Sequence, residues 1–209
     1  MMDRDRFART AYEIERKTLR RPGGYQDQYA AVYGGFNFME FSKNSLKMYP
    51  LRLEEDLMSE WHSSMMLFET PFPRKAYAHE VERGKDEALR KGGESVEQMK
   101  KIRDYAYGMK DSLIQGDTRK LGELLHLSWM EKKKLPGVSF PEIEKLYDAA
   151  KGAGAYGGKL CGAGGGGFLF IVCDVGERKK ITNALERNGT RLVNFDFDNE
   201  GMISWRTDY

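Results

Sequence analysis

The charged opening of the chain carries Phe7, Ala11 and Ile14 at helical spacing, which predicts an amphipathic helix over residues 3 to 19 that Asp3 can cap. Pro22-Gly23-Gly24 breaks it, and a short second helix from Gln26 to Val32 stops at Gly34-Gly35. Phe36 to Phe41 alternates like a strand with apolar residues on both faces, a pattern that predicts burial on each side. A second unit begins near Leu57 and opens with a strand over Ser64 to Phe68. Polar helices follow from about Lys75 to Gly92, from Ser95 to Gln115, and from Asp117 to Lys134, the last ending before Pro136. Pro141 in a first turn opens another helix, to about Lys151. Beyond a glycine-rich stretch come the apolar run Phe168 to Cys173, a helix from Glu177 to Arg187 that Asn188-Gly189 can stop, and a last strand near Leu192 to Phe197. Strand, helices, strand, strand, helix, strand is the order of an α+β fold with helices packed on one face of an antiparallel sheet. The chain divides into residues 1–56 and 57–209.

Composition narrows the class of protein. With 209 residues, 40% hydrophobic and 32% charged, the chain is long enough for a sizeable core and too apolar for disorder. Its 34 basic and 32 acidic side chains nearly cancel, so there is no electrostatic case for a nucleic-acid partner. The short clusters Lys132-Lys133-Lys134 and Lys179-Lys180 read as solvated helix faces. Cys161 and Cys173 form neither a disulfide framework nor a metal-ligand cluster, and reduced thiols are the simpler reading. No apolar run approaches the roughly 20 residues of a membrane span, and the charged N-terminus has no signal-peptide core. The expectation is a cytoplasmic protein with no membrane partner.

The least random feature is Gly157-Gly158-Lys159-Leu160-Cys161-Gly162-Ala163-Gly164-Gly165-Gly166-Gly167-Phe168. Gly162, Gly164 and Gly167 satisfy G-x-G-x-x-G, but a dinucleotide site needs a helix directly after them, and a β-prone run follows instead. No P-loop of the form G-x-x-x-x-G-K-[ST] occurs in the sequence. Clustered glycines cost backbone entropy, on the order of 0.5–1 kcal/mol each relative to alanine in regular structure. Either a tight bulged hairpin or close approach to a ligand or another loop offsets that cost.

A second segment, Gly23-Gly24-Tyr25-Gln26-Asp27-Gln28-Tyr29, puts an aspartate in the first turn of a short helix, whose positive end attracts a carboxylate. Beside a flexible glycine pair, such a group could accept or orient the proton of a hydroxyl attacking a phosphoryl group; a plain helix-start residue is the alternative. Asp196-Phe197-Asp198-Asn199-Glu200-Gly201 imitates an EF-hand start, but position twelve is Thr207, which argues against calcium. His62, His79 and His126 are scattered, so no metal site is expected. His126 and Trp129, three apart on one helix face, read as core.

Both chemistry-bearing stretches resemble the GHMP kinases. Lys159 to Phe168 resembles that superfamily's C-terminal glycine motif, and Gly23 to Ala31 with Gly34-Gly35-Phe36-Asn37-Phe38 resembles the segment around its catalytic aspartate. Ala11-Tyr12-Glu13-Ile14-Glu15-Arg16, Leu124-Leu125-His126-Leu127-Ser128-Trp129 and Pro141 to Tyr147 resemble the branch of heptose 7-phosphate and L-fucose kinases. The resemblance implies a remnant of the N-terminal domain over 1–56 and a ferredoxin-like C-terminal domain with inserted helices over 57–209. It implies ATP-dependent phosphorylation of a small sugar or sugar phosphate, with Mg²⁺, in which Asp27 orients or deprotonates the acceptor hydroxyl. Gly162, Ala163, Gly164, Gly165, Gly166 and Gly167 would pack against the phosphate loop and share one active site with Asp27. Gly24, Gln26, Arg74 and Lys75 are candidate substrate contacts; for Arg74 and Lys75 a solvated helix start is an equal reading.

The family's Gly/Ser-rich phosphate loop, P-x-G-x-G-L-G-S-S, does not occur in this sequence. ATP and Mg²⁺ would be held mainly by that absent segment, so the expectation is negligible activity for these residues alone. The alternatives are a non-catalytic sugar-phosphate-binding module and a subunit completed by a separate N-terminal chain; pairing with a second copy is a further possibility, because uncovered sheet edges and apolar faces favour association.

Overall fold

The computed structural model describes residues 3–21, 23–42, 45–73, 84, 87, 90, 92–135, 137–162 and 164–205. The chain forms two compact units, one of Met1–Leu53 with Asp196–Tyr209 and one of Glu54–Phe195. The first therefore draws on both ends of the sequence, unlike the expected division at residues 56 and 57.

In the first unit, α1 (Arg4–Glu13) starts where Asp3 accepts a hydrogen bond from the Arg6 amide at 2.8 Å. The expected helix to residue 19 is interrupted, because Ile14–Thr18 widen into a turn of π-helix. Helix α2 (Gln26–Tyr33) ends at Gly34. Strand β1 (Phe36–Phe41) pairs antiparallel with β2 (Leu46–Leu51), Phe38 opposite Tyr49 and Met39 opposite Met48. Ala8, Tyr29 and Val32 form the core here, with Met39, Leu46 and Met48 packed against them from one face of the hairpin. Strand β1 is accordingly half-buried, with Phe41 exposed, rather than buried on both sides.

The C-terminal segment returns to this unit. Asp198 accepts hydrogen bonds from the amides of Glu200 and Gly201, both at 3.0 Å, in a tight turn where the sequence imitates an EF-hand. That turn docks on the α2–β1 junction: the Gly35 amide donates to Asp198 O at 2.6 Å and the Met202 amide to Val32 O at 3.1 Å. Arg4 clamps the joint from α1, donating to Tyr33 O and Glu200 O, each at 3.2 Å. Gly34 and Gly201 lie backbone against backbone.

The second unit opens with α3 (Glu55–Ser64), a helix the sequence pattern did not predict, which runs directly into β3 (Met65–Glu69). Helices α4 (Gly93–Gln115), α5 (Thr118–Lys132) and α6 (Pro141–Gly152) follow; Asp117 caps α5 through the Lys120 amide, and Pro141 stands in the first turn of α6. The helix expected over 75–92 falls mostly outside the described residues. Strands β4 (Gly157–Leu160) and β5 (Phe168–Val172), helix α7 (Arg178–Glu186) and strand β6 (Arg191–Val193) complete the unit.

The sheet is antiparallel throughout, in the order β4-β5-β3-β6. With helices between β3 and β4 and α7 between β5 and β6, this is the split β-α-β arrangement of a ferredoxin-like sheet. Met66, Phe68, Leu160, Leu169 and Ile171 share one face and pack against Ile143, Leu146 and Tyr147 of α6 and Ile181 and Leu185 of α7. Full burial stabilises by about 1.5–3 kcal/mol for each such side chain. No helix among the described residues is long and apolar enough to cross a membrane.

Candidate functional site

The two predicted groups of residues lie in different units. Asp27 occupies the first turn of α2 behind the Gly23-Gly24 turn. It is exposed, and among the described residues its carboxylate has no partner. Gly24 and Gln26 are exposed beside it. The neighbouring Gln28 is buried at 4% exposure and donates through Nε2 to Glu15 at 3.0 Å. Tyr25, just before α2, stacks on Tyr12 at 3.7 Å between ring centroids. Tyr29, buried against Ala8, donates its hydroxyl to Asp5 at 3.0 Å; burial, then that hydrogen bond, raises its pKa. Arg16 reaches the glycine turn, donating to Arg21 O at 3.0 Å and Gly24 O at 3.1 Å. The sequence reading passed over Arg16, since one residue of extra winding in a helix leaves no mark in hydrophobic spacing.

The glycine stretch is the β4–β5 connection of the second unit, and the alternatives weighed for it both hold. Leu160 pairs with Leu169, and the Cys161 amide donates to Phe168 O at 2.8 Å, closing a hairpin. The loop also lies tight against two other backbones. The Gly165 amide donates to Val138 O at 3.3 Å and the Gly167 amide to Phe72 O at 3.0 Å. A Cβ at Gly164, whose φ is +117°, would stand 2.7 Å from Val138 O; one at Gly166, φ +128°, would meet the Phe72 carbonyl. Thr70 donates both its amide and its hydroxyl to Gly167 O at 2.8 Å.

Lys132 donates to Gly162 O at 2.7 Å, Lys133 pairs with Glu144 at 2.9 Å, and Lys134 pairs with Glu131 at 2.9 Å. The triple lysine is thus a set of tethers and not simply a solvated face; a run of like charges carries no signal that would say so. Ala163, Arg74 and Lys75 lie outside the described residues. Burial raises the Cys161 thiol pKa, which works against a thiolate there.

His126 is half-buried on α5, with Nδ1 2.9 Å from the Tyr147 hydroxyl and the rings stacked. Burial, and then the positive charges of Lys151 and Lys133, lower the His126 pKa, while burial raises that of Tyr147. This pair ties α5 to α6, and the core reading of His126 and Trp129 fits that role. Among the described residues no group of three or more His, Cys, Asp or Glu could hold a metal ion.

Residues 109–191 match the family described as GHMP kinases C terminal. The chain is 41% identical, over 96% of its length and 59% of the relative's, to a D-glycero-alpha-D-manno-heptose 7-phosphate kinase of Campylobacter jejuni. Among solved structures it is similar to a D-glycero-D-manno-heptose 1-phosphate kinase of Bacteroides thetaiotaomicron, with TM-score 0.73, 31% identity, and coverage of 100% of this chain and 57% of that one. A second solved structure, from Campylobacter jejuni, matches with TM-score 0.71 and 35% identity, over 99% of this chain and 58% of that one. The chain thus spans somewhat over half the length of these proteins.

Proposed function

We propose that the chain, whose residues 109–191 match the family described as GHMP kinases C terminal, is the acceptor-handling part of an ATP-dependent kinase for a sugar or sugar phosphate of the heptose 7-phosphate type. The observation that carries this reading is the 41% identity to a heptose 7-phosphate kinase over 96% of the chain, a span that necessarily includes both Asp27 and Gly162–Gly167. Asp27 has the exposure and, among the described residues, the unengaged carboxylate of a group that orients or accepts the proton of an attacking hydroxyl. Gly24 and Gln26 would meet the acceptor, as would Arg74 and Lys75. The loop from Gly162 to Gly167 would shape the phosphate side of the reaction.

Phosphoryl transfer depends on donors aimed at the transferring group. The Gly/Ser-rich loop that would supply them is absent from these 209 residues. On this reading the chain alone transfers phosphate negligibly, and ATP with its Mg²⁺ is held by a polypeptide corresponding to the part of the relatives that the chain does not span. The test is a phosphoryl-transfer assay with D-glycero-D-manno-heptose 7-phosphate, using the chain alone and mixed with that part of the Campylobacter relative. Restored turnover that Asp27→Asn lowers by a hundredfold or more, on the order expected for a general base, supports the proposal. Turnover indifferent to Asp27→Asn would sink the assigned role. Sugar-phosphate binding without turnover in any mixture would favour a binding module.

A further inference from the structure

Arg16 stands out in the first unit, because its side chain is drawn down to 13% exposure while Ile14, Lys17 and Thr18 beside it are exposed. Its guanidinium donates to two carbonyls of the turn that leads into α2, Arg21 O at 3.0 Å and Gly24 O at 3.1 Å. It lies 3.4 Å from the Glu15 carboxylate and 5.8 Å from the centroid of the Tyr12 ring. Those two neighbours are themselves tied to α2, Glu15 by Gln28 at 3.0 Å and Tyr12 by stacking on Tyr25 at 3.7 Å. Tyr25 and Gln28, two residues before and one after Asp27, are therefore anchored to one short stretch, Tyr12 to Arg16.

The backbone of that stretch is unusual. Ile14–Thr18 form a π turn, a form that occurs mostly as single turns and frequently at functional sites. The extra residue in the turn changes the direction in which Glu15 and Arg16 leave the helix. Gly23 completes the fit, since a Cβ there would lie 2.6 Å from the Arg16 Cζ. A flexible turn after a proline is thus held by a charged, rigid fork.

We propose that Arg16 is a positioning residue for the kinase reaction, its guanidinium fixing the Gly23-Gly24 turn and with it the placement of Asp27. The assignment rests on the kinase reading above for its consequence, though not for its geometry. Arg16 acts through the turn and does not touch the transferring group. Arginine suits the task because its planar fork serves two carbonyls at once, and a lysine ammonium replaces only part of that.

Two measurements on Arg16→Ala, Arg16→Lys and Gly23→Ala test this. Hydrogen exchange of the peptide spanning residues 21–29 should accelerate about tenfold in Arg16→Ala and Gly23→Ala, the scale of losing a net hydrogen bond. Exchange in the α4–α5 region should not change. In the reconstituted phosphoryl-transfer assay, kcat should fall about tenfold or more with KM within about threefold, as small misplacements of a reacting group do; Arg16→Lys should recover part of the loss. Unchanged exchange at 21–29 overturns the proposal, as does faster exchange with wild-type kcat. A uniform loss of protection across α1 and α2 also overturns it, since Arg16 would then be merely structural. If the wild-type mixture shows no turnover, the kinase reading fails, and the exchange comparison alone decides whether Arg16 holds the turn.

Discussion

Replacing Gly201 with alanine attacks the joint that fastens the C-terminal segment to the end of α2. Gly201 has φ +68°, a left-handed conformation that costs an alanine roughly 1–2 kcal/mol. The new Cβ would lie 2.5 Å from Gly34 N and 2.6 Å from both Tyr33 C and Val32 O, backbone atoms that cannot swing aside. Overpacking of that kind adds typically 1–3 kcal/mol, so the expected cost is about 2–5 kcal/mol. In a unit of this size each kcal/mol moves Tm by about 4–8 °C. The cheaper escape is for the tail to undock, which frees the Gly35 and Met202 amides from Asp198 O and Val32 O. Thermal unfolding with hydrogen exchange resolved at those two amides distinguishes the outcomes. Gly201→Asn separates the causes, because asparagine tolerates the left-handed region yet still carries a Cβ; if contact dominates, it fails as badly as alanine. Gly34→Ala meets the same joint from the other side, its Cβ 2.8 Å from Gly201 Cα, so the double variant should cost less than the sum. A Gly201→Ala protein with unchanged Tm and unchanged protection at Gly35 and Met202 would refute the reasoning.

Gly166→Ala should destabilise the second unit by about 2–5 kcal/mol through the same two effects, because its Cβ would meet the Phe72 carbonyl at φ +128°; urea unfolding checks it. The His126 pKa lies below its ordinary value of 6.5, so the unfolded chain binds more protons as pH falls through 6.5 and toward the folded value. Stability is therefore full above 6.5 and declines in that window. Tm measured from pH 7.5 to 5 should fall less steeply in His126→Gln, whose amide can still hydrogen-bond the Tyr147 hydroxyl and cannot titrate.

Helices were legible where their ends are chemically marked. Asp3, Asp117 and Pro141 each stand where a helix starts, and the hydrophobic spacing behind them needs no partner to be read. Elements defined by tertiary neighbours were harder. Strand β2 contains Lys47 and Pro50, tolerable at a sheet edge but contrary to strand patterning. Strand β4 begins with Gly157-Gly158, poor strand formers on their own, where a side chain at Gly157 would strike the Gly122 carbonyl of α5. The last strand was expected to reach Phe197, yet β6 ends at Val193, because from Asp196 onward the chain belongs to the first unit. At the candidate site, the exposed aspartate and the glycine hairpin could be found from residue types. Their supports, Arg16, Lys132 and Thr70, are common polar residues whose roles depend on which carbonyl happens to be near.

The glycines divide into two classes that residue type alone cannot separate, and one of them gives a discriminating test. Gly23 faces Arg16, Gly34 faces Gly201, Gly164 faces Val138 and Gly166 faces Phe72, so each is explained by the chain's own packing. Gly24 is different: a Cβ there meets nothing within 4 Å, and its φ is not in the left-handed region. Among the described residues nothing therefore requires glycine at this position. Alanine should leave Tm unchanged or raise it slightly, since a stiffer unfolded chain is worth about 0.4–1 kcal/mol where the native backbone is compatible. If the open space beside Gly24 is where an acceptor sugar lies next to Asp27, the same methyl group should raise KM for the sugar phosphate about tenfold or more, one to a few kcal/mol of lost fit. Normal stability with impaired acceptor binding would mark the position as a ligand contact. Normal stability with wild-type kinetics would remove Gly24 from the acceptor site and leave Asp27 without its expected neighbour.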